Sequence, residues 1–169
     1  MSYRVLSAAD AFWRPSNQLS VMNTDLANQL DATTLGARLW RLAPGQASTR
    51  HRHFKTHELY VLLEGAGRIR IGEDLHTLGP LSSVLVEPDE IRQLFNDTDS
   101  DQLWLITGAP PETADGIEMS REEALAWTYP NGPKALPPEL EHTHSGLGRT
   151  GAVPPPGYAE LGASTRAMA

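Results

Sequence analysis

Gly45-Gln-Ala-Ser-Thr-Arg-His51-Arg-His53-Phe-Lys-Thr-His57-Glu58-Leu-Tyr-Val-Leu-Leu-Glu-Gly65 sets two imidazoles and a carboxylate inside one glycine-bounded stretch. In extended chain alternate side chains share a face, so His51 and His53 point the same way. A turn through Phe54-Lys55-Thr56 can then return Glu58 beside them. Two imidazoles and one carboxylate suffice to hold one divalent transition metal while leaving positions open for substrate or oxygen. Those ligands suit Fe, Mn, Ni, Cu or Zn and do not choose among them. If Glu58 faces inward, Tyr60 and Leu62 share its face, and His57, Leu59, Val61 and Leu63 face outward; both faces are apolar enough to be buried in a two-sheet fold.

Around this stretch the chain keeps a β rhythm of short apolar runs separated by turn residues. The runs predict strands over Leu35–Leu42, Leu59–Leu63, Arg68–Ile71, Leu75–Leu78, Val84–Val86, Arg92–Asn96 and Leu103–Thr107. Turns fall at Glu64-Gly-Ala-Gly67, Gly72-Glu-Asp74, Gly79-Pro80 and Asn96-Asp-Thr-Asp-Ser-Asp101. Connections this short make hairpins, and strands of this size close into a sandwich or barrel.

The order glycine, five residues, His-X-His, four residues, Glu, six residues, glycine resembles the first motif of the cupin family, and every fixed position is filled. The resemblance spans roughly Leu35 to Pro110. It implies an all-β fold, a double-stranded β-helix or jelly-roll cupin barrel (residues 35–110), with an N-terminal extension (1–34) and a C-terminal segment (111–169) outside it. It also implies a homodimer and a metal held by His51, His53 and Glu58. His57 fills the alternative spacing as a third ligand; the family motif ends in glutamate, which favours Glu58.

The second cupin motif is altered. Its framework runs from Leu81 to Asn96, with Leu81 and Asp89 in place of glycines, Glu87 in place of proline and Arg92 where the family has a metal-binding histidine. A guanidinium cannot ligate a metal, and inside a barrel it needs a carboxylate or a bound anion to offset desolvation. Arg92 is therefore expected either to clamp an anionic substrate, with Tyr60 as a wall of the substrate pocket, or to pair with Glu58 or Glu87. Gln93 would reach the pocket only through a one-residue slip that turns Arg92 outward.

The rest of the 169 residues bounds the reading. There is no cysteine, so disulfides, thiolate metal sites and thiol nucleophiles are excluded. Net charge is −7, with 14 basic against 21 acidic residues and no long basic cluster, which argues against nucleic-acid binding. No apolar run is long enough to span a bilayer, and Met1-Ser-Tyr-Arg-Val-Leu6 lacks the apolar region of a signal peptide, so a cytoplasmic protein without membrane partners is expected.

In the extension, strands are expected at Tyr3–Leu6 and Leu19–Met22 and a helical turn at Asp25–Leu30. Nine of the thirteen prolines follow Ala109, and there the β pattern stops. Ser120-Arg-Glu-Glu123 has the form of a capping box, and Pro130 limits the helix it starts to Arg121–Thr128. Beyond it a Pro/Gly-rich tail either wraps a neighbouring surface or stays disordered, and residues 131–169 are expected to be dispensable for the barrel. Gly146-Leu-Gly-Arg-Thr-Gly151 spells a dinucleotide pattern, but no strand precedes it and prolines follow. Asp97-Thr-Asp99-Ser-Asp101 lacks the glycine and glutamate of a calcium loop. His142-Thr-His144 has no third ligand.

These expectations add up to a small metal-binding cupin, acting as a metal-dependent oxygenase or an isomerase-like enzyme on a small polar or anionic molecule. Two alternatives stand beside it: a non-catalytic sensor or storage protein for a small molecule, and a metal-free structural barrel sealed by an Arg92–Glu58 ion pair.

Overall fold

The computed structural model describes residues 3–112 and 118–141. His142, His144 and the Gly146–Gly151 stretch lie outside them. Among the described residues the strands are β1 (Arg14–Pro15), β2 (Met22–Asp25), β3 (Gly36–Leu42), β4 (His57–Glu64), β5 (Gly67–Ile71), β6 (Asp74–Leu78), β7 (Ser83–Val86), β8 (Arg92–Phe95) and β9 (Gln102–Ala109). Three short helices accompany them, α1 (Leu26–Gln29), α2 (Arg121–Thr128) and α3 (Pro138–Glu141). None is long and apolar enough to cross a membrane.

The strands form two antiparallel sheets, a large one in the order β1-β2-β3-β9-β4-β7 and a small one in the order β6-β5-β8. This is the double-stranded β-helix expected from the cupin resemblance. Alternation along β4 explains how the halves join: Tyr60 and Leu62 point into the core with Leu42, Ile69, Val86, Leu94 and Trp104. The Trp104 indole N–H, fully buried, donates to Gln102 Oε1 at 3.1 Å, so the largest core side chain leaves no donor unpaired.

The run from Gly45 to His51 extends the small sheet past β8. The His51 amide donates to the Arg92 carbonyl at 3.0 Å and the Arg92 amide returns a bond to the His51 carbonyl at 2.8 Å. Further along, the Ser48 amide donates to the Leu94 carbonyl. At the other end of the stretch Gly65 has φ +86°, and a Cβ there would lie 2.5 Å from the Asp101 carbonyl oxygen, so both conformation and space demand glycine.

The extension differs from its expected form. Tyr3–Leu6 is irregular, and the second strand sits further along, at Met22–Asp25, where it pairs with Arg38–Arg41 and adds to the large sheet. Asp25 caps α1 through its side chain, accepting from the Asn28 amide. Helix α2 begins and ends as the capping box and Pro130 require.

The start of the tail wraps the barrel, one of the two arrangements expected of it. Leu140, fully buried, packs with Leu136 on Ala47 and Phe95, on the outer side of the small sheet. Gln93 Nε2 donates to the Ser48 and Ala135 carbonyls, each at 2.9 Å, and Arg70 pairs with Glu139. The contacting residues have no helical or alternating period; isolated apolar side chains in a proline-rich segment do the covering.

Candidate metal centre

The chain bends after His53 and enters β4 at His57, and this brings His51, His53 and Glu58 together: one donor atom of each lies within 4.8 Å of the others. The His51 amide is fixed on β8, and the His53 amide donates to the Pro88 carbonyl at 2.7 Å. Gly108 lies opposite Glu58 in the register of β9 with β4. A Cβ on Gly108 would fall 2.9 Å from Thr56 Cγ2 and 3.3 Å from Glu58 Cγ, so its bare backbone makes room for the carboxylate.

Both imidazoles turn Nε2 toward Glu58. His51 Nδ1 lies 2.9 Å from the Thr49 carbonyl, which accepts the hydrogen bond of an Nδ1–H and leaves the Nε2 lone pair free, 3.7 Å from Glu58 Oε2. His53 Nε2 lies 3.3 Å from Glu58 Oε1, and its Nδ1 lies 3.1 Å from Glu112 Oε2. Neither nitrogen of the buried His53 ring has a well-aligned hydrogen bond. A buried donor atom without a partner, next to a second imidazole and a carboxylate, fits a divalent transition metal.

Glu58 is held from behind. Arg92 Nε lies 3.2 Å from Glu58 Oε2 with its side chain fully buried, and its Nη1 donates to the Pro88 and Glu90 carbonyls at 3.0 and 2.9 Å. The Tyr60 hydroxyl donates to the same oxygen, Oε2. Burial alone would raise the Glu58 pKa, but the contacts of His51 and His53 outweigh it and hold the carboxyl well below its usual range. Burial acts to lower the His53 pKa, yet Glu58 and Glu112 together raise it. Burial, with Glu58 beside it, pushes the Tyr60 hydroxyl well up, so it stays protonated.

The centre opens into a cavity of about 610 Å³ between the large sheet and the segments that flank it. Tyr60 lines this cavity with Trp40, Ile106 and Tyr129, and Asp25 and Arg38 line it as a 2.5 Å ion pair. Arg92 is not among the lining residues: its Nε lies against Glu58 and its Nη1 donates to two carbonyls, while its buried Nη2 has no hydrogen-bond partner, so its contact with the cavity runs through Glu58. His57 is half-exposed on the outward face of β4, its Nδ1 2.8 Å from Glu87 Oε2, and takes no part in the cluster. Gln93 faces the tail, with no register slip.

Glu112 is the residue that sequence reasoning missed. It follows Pro110-Pro111, which mark a boundary by composition, and no spacing connects it to His53; its Oε1 accepts from the amides of Phe54 and Lys55. Contact with His53 and these amides holds its carboxyl below the usual range, against the effect of burial.

Two antiparallel sheets, with an imidazole, imidazole and carboxylate set that opens into a cavity against the large one, define a double-stranded β-helix with a metal-capable pocket. More particularly, residues 38–108 match the family model of the cupin domain. Solved structures agree on the fold. A sugar phosphate isomerase of the cupin superfamily from Silicibacter pomeroyi is 22% identical, with a TM-score of 0.58 over 64% of this chain and 76% of that one. A predicted oxalate decarboxylase from Thermotoga maritima is 17% identical, with a TM-score of 0.57 over 64% of this chain and 100% of that one. A cupin protein from Bacteroides fragilis is 21% identical, with a TM-score of 0.53 over 72% and 93%. No curated protein matches the chain.

Proposed function

We propose that this protein binds one divalent transition metal through His51, His53 and Glu58 and acts there on a small polar or anionic molecule, as a metal-dependent oxygenase or an isomerase-like enzyme. The observation that carries the reading is the convergence of the two Nε2 atoms and the Glu58 carboxylate at the floor of the cavity. A bound ion would supply Lewis acidity or a site for oxygen.

The chain's own residues set the preference for an anion. A divalent ion together with Arg92, set against Glu58 and Glu112, leaves one net positive charge in a largely buried centre, and an anionic ligand would offset it. Tyr60 and Arg92 hold the Glu58 carboxylate in place, so it stays available to the metal while a substrate enters from the cavity. Arg38 lines that entry. Two of the structural neighbours are named for anionic molecules, a sugar phosphate and oxalate.

A second reading rests on the same Arg92 contact. Glu58 already has a buried counter-charge, as a metal-free barrel or a non-catalytic binding pocket would need. Loading the protein with Co2+ and titrating small carboxylates and neutral sugars, followed by the visible spectrum, separates the two. A saturable spectral change with carboxylates and none with sugars supports the metal reading. Protein that takes up no Co2+ supports the second.

A further inference from the structure

We propose that Glu112 is a positioning residue for the metal centre: it holds His53 Nδ1 so that the Nε2 lone pair is presented to the ion. The inference rests on the metal reading and concerns a residue outside the stretch that matches the cupin domain, residues 38–108.

The two histidines are oriented by different means. His51 takes its orientation from the backbone, through the Thr49 carbonyl at 2.9 Å. His53 has carboxylates at both edges of its ring, Glu58 Oε1 3.3 Å from Nε2 and Glu112 Oε2 3.1 Å from Nδ1. Once an ion occupies Nε2 and Glu58, the Nδ1 proton has Glu112 as its acceptor. A ligand histidine whose other nitrogen donates to a carboxylate is fixed in tautomer and orientation and is the more basic for it.

Glu112 is itself held for this task. Its Oε1 accepts from two amides of the loop that follows His53, those of Phe54 and Lys55, which leaves Oε2 for the ring. The same loop is gripped by α2. The Arg52 amide donates to the Thr128 carbonyl at 3.1 Å and Arg52 Nε to the Trp127 carbonyl at 2.8 Å. The Arg52 guanidinium lies 4.1 Å over the Trp127 ring, and Phe54 stacks on the same ring at 4.1 Å and 16°. The segment after β9 thus sets both the loop that carries His53 and the carboxylate that orients it.

Glu112→Gln is the informative variant. Its amide oxygen keeps serving the Phe54 and Lys55 amides, so its NH2 group is turned to His53 Nδ1. That nitrogen must then accept, and the proton moves to Nε2, where it blocks the ligand position. Nitrogen chemical shifts of His53 in the metal-free protein, at a pH where the ring is neutral, should show the Nδ1–H tautomer populated beside Nε2–H in the wild type, where Glu112 and Glu58 each face one nitrogen, and the Nε2–H tautomer alone in the variant. Zn2+ affinity by chelator competition should fall about 10–100-fold. Glu112→Ala should also shift the ring toward Nε2–H but, with no donor turned to Nδ1, cost less affinity, and if that variant frees the loop, Glu112→Gln decides. Glu112→Gln that keeps the Nδ1–H tautomer and binds Zn2+ within about twofold of the wild type overturns this role alone. A wild type that binds no Zn2+ overturns the metal reading and this role with it.

Discussion

Replacing Glu58 with Gln should destabilise the metal-free protein by about 3 kcal/mol, because it removes the counter-charge of a guanidinium that has no access to water. The structure sets the size. Arg92 is fully buried, Glu58 is 15% exposed, and their contact is 3.2 Å. Breaking one partner of a buried pair costs about 3–5 kcal/mol, against about 0–1 kcal/mol for an exposed pair. The low end of the buried range applies for two reasons. Arg92 Nη1 keeps its bonds to the Pro88 and Glu90 carbonyls, and the Gln oxygen can still accept from the Tyr60 hydroxyl. With a slope of about 1.5 kcal/mol per molar urea, the unfolding midpoint should drop by about 2 M. The assay is urea unfolding with a chelator present, read by tryptophan fluorescence. Arg92→Met added to Glu58→Gln should restore most of the loss, since a neutral, similarly long side chain leaves no orphaned charge. A loss below about 1 kcal/mol, or no recovery in the double variant, would show that Arg92 is hydrated rather than buried against Glu58.

Leu140→Ala should cost about 2–3 kcal/mol, the lower part of the range for a fully buried leucine, because it hollows the contact with Ala47 and Phe95; a change of a few tenths in urea unfolding would mean that the segment is loosely attached. The pH dependence of the metal-free protein has two limbs. Glu58 and Glu112 have depressed pKa values, so their stabilisation is present above the ordinary carboxylate value of 4.5 and is lost as pH falls below it. The His53 pKa is raised, so its contribution is complete below 6.5 and fades as pH rises through the folded value. Urea midpoints from about pH 3 to about pH 9 should therefore peak between those limits, and a curve rising steadily to alkaline pH would contradict the assignment.

The barrel was legible because its information is local. Period-two alternation gives the faces of β4, and Gly72-Glu-Asp74 makes the β5 to β6 turn; the glycine frame fixes where the His51–His53 run begins and ends. Parity put Glu58 on one face with Tyr60 and Leu62 and left open which face is inward; the motif ending in glutamate is what favoured Glu58 over His57. Arg92 was legible as a cation needing compensation, and the choice between an anion and Glu58 was not, because that depends on which partner the folded chain brings within reach. Glu112, Leu140 and the wall formed by Asp25 and Arg38 were invisible for one shared reason: each meets its partners across long sequence separation, with no periodic pattern to announce it. Tyr3–Leu6 shows the converse, a β-favouring run that finds no strand to pair with.

The central claim is that His51, His53 and Glu58 hold a metal. The direct measurement is metal content of the dialysed protein together with anomalous diffraction from its crystals, for the wild type and for His51→Ala and His53→Ala. The account predicts one ion per chain in the wild type, with anomalous density between the two Nε2 atoms and the Glu58 carboxylate, and loss of that ion in both variants while the barrel stays folded. Wild-type crystals with no anomalous density there, or variants that retain the ion, would contradict it.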